Sequence, residues 1–246
     1  YACFNEGDRE GYAILNQNLD ILETFYIDDL YKRHNLLSRI YSSNSPDPIH
    51  INDVEPILNS KVNKNLQELV LISLRSTSSI ILYNQFEKKI ISIFDGMVRQ
   101  QHDVDVISEN PLEISIFDNN VLNEKKSLGN KVIFLKNIKT TQNKDETINI
   151  FMPNSKAFSL SNIKKDEVNF LDLNENQRPI TKSSGLSEYN KKNNSLIVEE
   201  SNFGRIFGYS LNDKLINWTF INSSEDKKIF WRMSWSRFYK DNPINF

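Results

Sequence analysis

The chain is predicted to be all-β: a β-propeller built of four-stranded antiparallel blades, with about three and a half blades in its 246 residues. Three observations predict this. Short β-branched and aromatic runs come in groups of four, and the groups recur about every 50 residues. Two groups also open on a histidine at the same place, His50 and His102, which lie 52 residues apart. Four-stranded units repeated at such a period bury their faces only by stacking on one another, which is the logic of propeller blades. A β-sandwich with long hairpins is the alternative architecture.

Taken in order, GYAILNQ (11–17) and DILETFYI (20–27) read as the last two strands of a unit that begins earlier. The first complete set is HINDVEPI (50–57), ELVLISLR (68–75), SIILYNQ (79–85) and KKIISIF (88–94). The second is HDVDVIS (102–108), LEISIFDNN (112–120), NKVIFLKN (130–137) and TINIFMP (147–153). The third is SGLSEY (184–189), NSLIVEE (194–200), GRIFGYS (204–210) and KLINWTFIN (214–222). Residues 28–47 and 154–183 are expected to be loop-rich insertions, the first ending in SSNSPDP and the second carrying NENQRP. His34, in YKRHNLLSRI, falls in a short helical stretch and is expected at the surface. The expectation is a single propeller domain over 1–246 that continues upstream of Tyr1, because half a ring would leave strand edges and half a core open.

Composition narrows the function classes. Hydrophobic residues make up 39% of the chain and charged residues 25%, enough for a sizeable core. A formal net charge of −2 provides no overall basic field for nucleic acid or an anionic membrane. The lysines of EKKI and EDKKI fall at expected turns, and the basic-aromatic WRMSWSRF stands alone in an acidic chain. Trp218, Trp231 and Trp235 are expected to pack between blades or under the terminal segment. Cys3 is the one cysteine, so no disulfide can form within these residues. No run approaches the roughly 18 apolar residues of a membrane span, and no signal peptide is visible.

Three phrases carry chemistry: PIHINDVEP (48–56), LISLRSTSS (71–79), and QQHDVDVIS (100–108) followed by IFDNN (116–120). Each sets a reactive group at a strand terminus. An imidazole is a competent nucleophile near neutral pH. A guanidinium presents a permanently charged, planar fork to a tetrahedral oxyanion. Two histidines, one arginine and neutral asparagine donors are what transfer of a sulfuryl or phosphoryl group needs. A metal cluster of His50, Asp53, His102, Asp103 and Asp105 is the competing assembly. Strand alternation argues against it, since Asp103 and Asp105 share one face and His102 takes the other. Neither a metal nor a cofactor is expected.

The order HxN, then a strand ending in S-x-R, then QHD and IFDNN resembles the bacterial aryl sulfotransferase family. NNSLIVEESNFGRIFGYSLNDKLINWTFIN is similar to the closing blades of that family, so the likeness spans about residues 48–222. The resemblance implies a six-bladed propeller that moves a sulfuryl group from a phenolic or other organic sulfate to an acceptor hydroxyl, without a nucleotide donor, and a periplasmic or exported location. It implies that His102 becomes transiently sulfated, that His50 acts as acid or base on the phenolic oxygen, and that Arg75 holds the sulfuryl oxygens. Asn52, two residues after His50, matches the family spacing and would bind substrate. The family's further active-site histidine on an earlier blade has no counterpart here, and Cys3 alone cannot supply the disulfide of its well-studied members.

Each candidate has a structural alternative. His102 could be a polar turn residue, His50 a buried ring satisfied by backbone, and Arg75 the end of an edge strand in a salt bridge. Asn119 is a substrate-binding candidate that could equally form a hairpin turn with Asn120, braced by Asp118. Arg205, the last substrate-binding candidate, could instead make an ion pair with Glu199 or Glu200 beside a glycine turn. The rival function is a propeller that binds a ligand or acts as a scaffold without catalysis; hydrolysis of a sulfate ester is a third.

Overall fold

The computed structural model describes residues 1–41, 46–58, 69–122, 126–140, 147–224, 229 and 231–233. Its strands form successive antiparallel meanders. The first sheet is β1 (Ala2–Glu6), β2 (Arg9–Leu15) and β3 (Ile21–Tyr26), followed by helices α1 (Ile27–Arg33) and α2 (Leu37–Tyr41). The second holds β4 (Ile51–Ile57), β5 (Leu69–Leu74), β6 (Ser79–Asn84) and β7 (Lys89–Asp95). The third begins with β8 (Asp103–Glu109) and β9 (Leu112–Asp118). A small hairpin, β10 (Val121–Leu122) and β11 (Lys126–Ser127), then precedes its next strand, β12 (Lys131–Ile138). After β13 (Asn149–Phe151) and α3 (Lys156–Leu160), β14 (Lys164–Val168) completes that third sheet in the order β14-β12-β9-β8. The fourth is β15 (Leu186–Asn190), β16 (Ser195–Glu200), β17 (Arg205–Ser210) and β18 (Leu215–Ile221).

Strand β4 lies beside β1 on one side and β8 on the other, and β8 lies beside β15. The first strands of consecutive sheets therefore form one inner wall, the arrangement of propeller blades. Alternation explains why the middle strands read as unbroken apolar runs. In β5, Leu69 and Leu71 pack into the core shared with the third sheet, beside Ile114, Ile116 and Ile133. Val70, Ile72 and Leu74 pack the other way, against Tyr12, Phe25 and Ile27 of the first sheet region. A third core joins Phe117, Val132 and Phe134 to Leu196, Val198 and Phe207. The second and third sheets are thus apolar on both faces because each has a neighbour on both faces.

The structure departs from the sequence expectations at several points. Asn149–Phe151 does not complete the second repeat; it adds to the preceding sheet, parallel to β7, with Ile150 opposite Ile93. The fourth strand of that repeat is instead the charged Lys164–Val168, inside the stretch expected to be loop. Residues 28–47 carry α1 and α2, and β1 precedes the two strands expected at the start. His34 is half-buried rather than a surface residue: Nδ1–H donates to the Leu30 carbonyl at 2.8 Å and Nε2 accepts the Ile90 amide at 3.2 Å, tying α1 to β7. Trp218 is 44% exposed and lies over Gly208 on the neighbouring strand, and Trp231 is exposed; Trp235 lies outside the described residues.

Candidate active site

His50 and His102 meet at the inner wall, one from the start of β4 and one from the start of β8. Their ring centroids are 6.3 Å apart, with the planes at 73°. The local backbone that presents them is unusual. His50 has φ +48°, and Gln100, two residues before His102, and Asn120, just past the end of β9, have φ +55° and +48°. Non-glycine residues in this region are uncommon and cluster at sites where surrounding contacts hold them. A bulge between Ile51 and Asp53 also breaks the β4–β5 register at Asn52, turning that side chain out of the regular alternation.

His102 is only 8% exposed, and its backbone amide pairs with the Phe117 carbonyl at 3.1 Å. Its Nδ1 lies 2.6 Å from Asn119 Oδ1 and 3.2 Å from the Gln100 carbonyl, both acceptors, so Nδ1 carries the hydrogen. The amide orientation of Asn119 is set in turn, because Nδ2 donates to the carbonyls of Thr181 at 3.1 Å and Ser184 at 3.0 Å. In the neutral ring the lone pair therefore belongs to Nε2. Burial, with the positive fields of Arg75 and His50, takes the imidazole pKa down to about 4 against the opposing Asn119 hydrogen bond. At physiological pH the ring is neutral, with its lone pair at Nε2.

Arg75 ends β5 close to this pair. Its backbone amide donates to the His50 carbonyl at 3.0 Å, and one terminal nitrogen donates to Gln100 Oε1 at 3.1 Å. Its buried Nε has no hydrogen-bond partner among the described residues. Asn52 donates through Nδ2 to the Gln101 carbonyl at 2.6 Å, while its buried Oδ1 is likewise unpartnered. Two unsatisfied polar atoms flanking two histidines are costly unless something occupies the space between them. Asn52 also lines an open cleft of about 520 Å³ with Cys3, Asp53 and Glu55.

Two further candidates are engaged in bonds of their own. Asn119 is fully buried beside His102 and accepts the Nδ1 hydrogen of that ring. Arg205 forms the ion pair with Glu200 and donates to the Gln177 carbonyl at 3.0 Å, at the start of β17, in a different sheet from β4 and β5. Asp118 takes the bracing role: its Oδ1 accepts the amides of Arg99 at 2.7 Å and Asn120 at 2.9 Å. The spacing did not single out Gln101, which is fully buried and donates to the Leu74 and Ser79 carbonyls, stitching the start of β8 to the preceding sheet. Among the described residues no group of three or more His, Cys, Asp or Glu side chains could hold a metal ion, and no helix is long and apolar enough to cross a membrane.

Comparison with known proteins follows this geometry. A solved structure, the β-propeller domain of Cps50 (Swd1) from Myceliophteria thermophila, is 8% identical with a TM-score of 0.42. The alignment covers 93% of this chain and 54% of that one, so the chain spans about half the length of its structural neighbour. A comparison with curated proteins matched none. The sequence model of the arylsulfotransferase (ASST) family matches residues 28–223, taking in both histidines, Arg75 and Asn52. The match runs over well more than half of the chain, which therefore belongs to the arylsulfotransferase family.

Proposed function

We propose that the protein transfers a sulfuryl group from a phenolic or other organic sulfate ester to an acceptor hydroxyl through a sulfohistidine at His102. The observation that carries this reading is the tautomer at His102. A ring with Nδ1–H held by Asn119 and a pKa taken down to about 4 has a free lone pair on Nε2. In the first half-reaction Nε2 attacks sulfur, the bond from sulfur to the ester oxygen breaks, and that oxygen takes a proton from His50. In the second, the acceptor hydroxyl gives its proton to His50 and attacks sulfur, and the N–S electron pair returns to His102. Arg75 Nε–H, unpaired in the resting site, donates to the sulfuryl oxygens. Positioned donors of this kind do most of the work when the transferred group itself carries the charge. No step needs a cofactor. A periplasmic or exported location, implied by the family resemblance, belongs to the same proposal.

Incubation with excess 4-nitrophenyl sulfate, followed by intact mass measurement, tests it. A sulfuryl adduct in the wild type that is missing in His102→Ala and discharged by added phenol is the expected result. Discharge at the same rate by water alone would point to ester hydrolysis. A folded protein that binds sulfate esters yet forms no adduct would leave the second reading, a propeller that keeps the anion pocket without transfer. A further histidine of the family, if upstream sequence supplies it, would favour the enzyme over that second reading; His34 is engaged with Leu30 and Ile90.

A further inference from the structure

Behind His50 stand two carboxyl groups that neither the motif spacing nor the family resemblance points to. Glu10, on β2 of the first sheet, is 7% exposed. Its Oε2 accepts the Ile51 amide at 2.8 Å and its Oε1 accepts the His50 amide at 3.2 Å. That same His50 amide donates to Asp47 Oδ1 at 3.1 Å. Two carboxyl oxygens therefore converge on one N–H, and a side-chain hydrogen bond joins Glu10 to Asp47. The second Asp47 oxygen takes the hydrogen of His50 Nδ1.

Two carboxyl groups this close hold one proton between them, because both cannot be charged without strong repulsion. Glu10 keeps it. Burial first, and then the bond to Asp47, raise its pKa to about 7. Asp47 goes the other way: burial opposes its charge, but the hydrogen bonds from Glu10 and His50 outweigh that and hold it below the ordinary carboxylate range. The other titratable groups facing the pair are Cys3 and His50, with His102 and Arg75 beyond the His50 ring.

We propose that Glu10 and Asp47 are a one-proton carboxyl pair that positions His50, holding its Nδ1–H and so presenting Nε2 to the oxygens of the leaving and incoming groups. This rests on the sulfuryl transfer proposed above, in which His50 gives its Nε2 proton to the departing oxygen and regains one from the acceptor. Glu10 and Asp47 keep their own shared proton throughout. They are positioning residues, and loss of the Glu10 proton at alkaline pH puts two like charges together and releases the ring.

Nitrogen-15 NMR of histidine-labelled protein reads the ring directly, and three histidines are few enough to assign by single substitutions. At a pH where the ring is neutral, wild-type His50 should be the Nδ1–H tautomer. Asp47→Ala should give a mixture, and Glu10→Gln, which still donates to Asp47, should keep the Nδ1–H form into more alkaline solution than the wild type. A His50 tautomer unmoved by Asp47→Ala overturns the proposal whether or not the protein is active. In turnover, Asp47→Ala should slow phenyl sulfate, a poor leaving group, about 10–100-fold more than 4-nitrophenyl sulfate, a part of the roughly 100–10,000-fold contribution of a general acid. Equal slowing of both donors would also sink it. A wild type that forms no His102 adduct defeats the transfer reading instead, and the tautomer measurement still decides the pair.

Discussion

At the scale of single residues, the site is a set of imidazole and amide orientations fixed one behind another. Thr181 and Ser184 carbonyls orient Asn119, Asn119 orients His102, and His102 is left with a lone pair at Nε2. Removing the middle member should therefore act through the ring. Asn119→Ala is expected to slow sulfuryl-adduct formation about 10–100-fold, as loss of the partner that orients a functional histidine commonly does. Quench-flow mass measurement of the adduct checks it, and unchanged rates would mean that Nδ1 needs no acceptor. The same chemistry sets the acid limb of the proposed reaction. His102 has a pKa of about 4, so adduct formation should persist well below pH 6 and fail only as the ring protonates near pH 4. Of these residues, His50, His102, Arg75 and Asn52 were legible in the sequence because each falls in a short phrase. Glu10 was not, since it reaches His50 across 40 positions and no local signal marks it.

At the scale of elements, the strands that carry the site are held by features that the hydrophobic pattern predicts unevenly. The run ELVLISLR shows β5 plainly, because burial on both faces favours apolar residues throughout, with Ser73 the one polar side chain of the strand. The charged KKDEV does not show β14: an outer strand with half-exposed side chains needs no apolar alternation, and its charges protect the edge. TINIFMP has the pattern of a strand and is one, but the pattern cannot say which sheet it joins. The turn into β15 depends on Gly185, whose φ is +116°. A Cβ there would lie 2.6 Å from the Phe117 ring and 2.9 Å from the Glu199 carbonyl oxygen, beside the Ser184 carbonyl that orients Asn119. Gly185→Ala is expected to lower stability by about 1–3 kcal/mol from overpacking and to impair adduct formation as well. Urea denaturation with the adduct assay separates a stability loss alone from the expected pair of losses.

At the scale of the whole molecule, carboxyl groups on one sheet accept backbone amides from the next. Glu10 takes the Ile51 amide, Asp53 the Val104 amide at 2.8 Å, and Asp103 the Ser187 amide at 2.9 Å. These bonds join neighbouring sheets around the inner wall, where the histidines also sit, so the site and the ring's cohesion share the same strands. Titration of His102 ties stability to the same place. Its folded pKa is below the unfolded value of about 6.5, so the unfolded chain binds the proton first. The stability it contributes is present above pH 6.5 and is lost as pH falls toward 4, by on the order of 3 kcal/mol. Relative to the wild type, His102→Gln should lose less stability across that window, read as melting temperature against pH; parallel profiles would mean that the ring is not neutral by burial. The sequence by itself determined the blade repeat, the strands of alternating or unbroken apolar character and the two histidines in register, because these are local and periodic. Only the tertiary structure decided that Asn119 orients His102, that Asn149–Phe151 joins the preceding sheet, and that Glu10 stands behind His50. Each of those is a contact between segments far apart in the chain, and periodicity carries no information about which distant partner a side chain will meet.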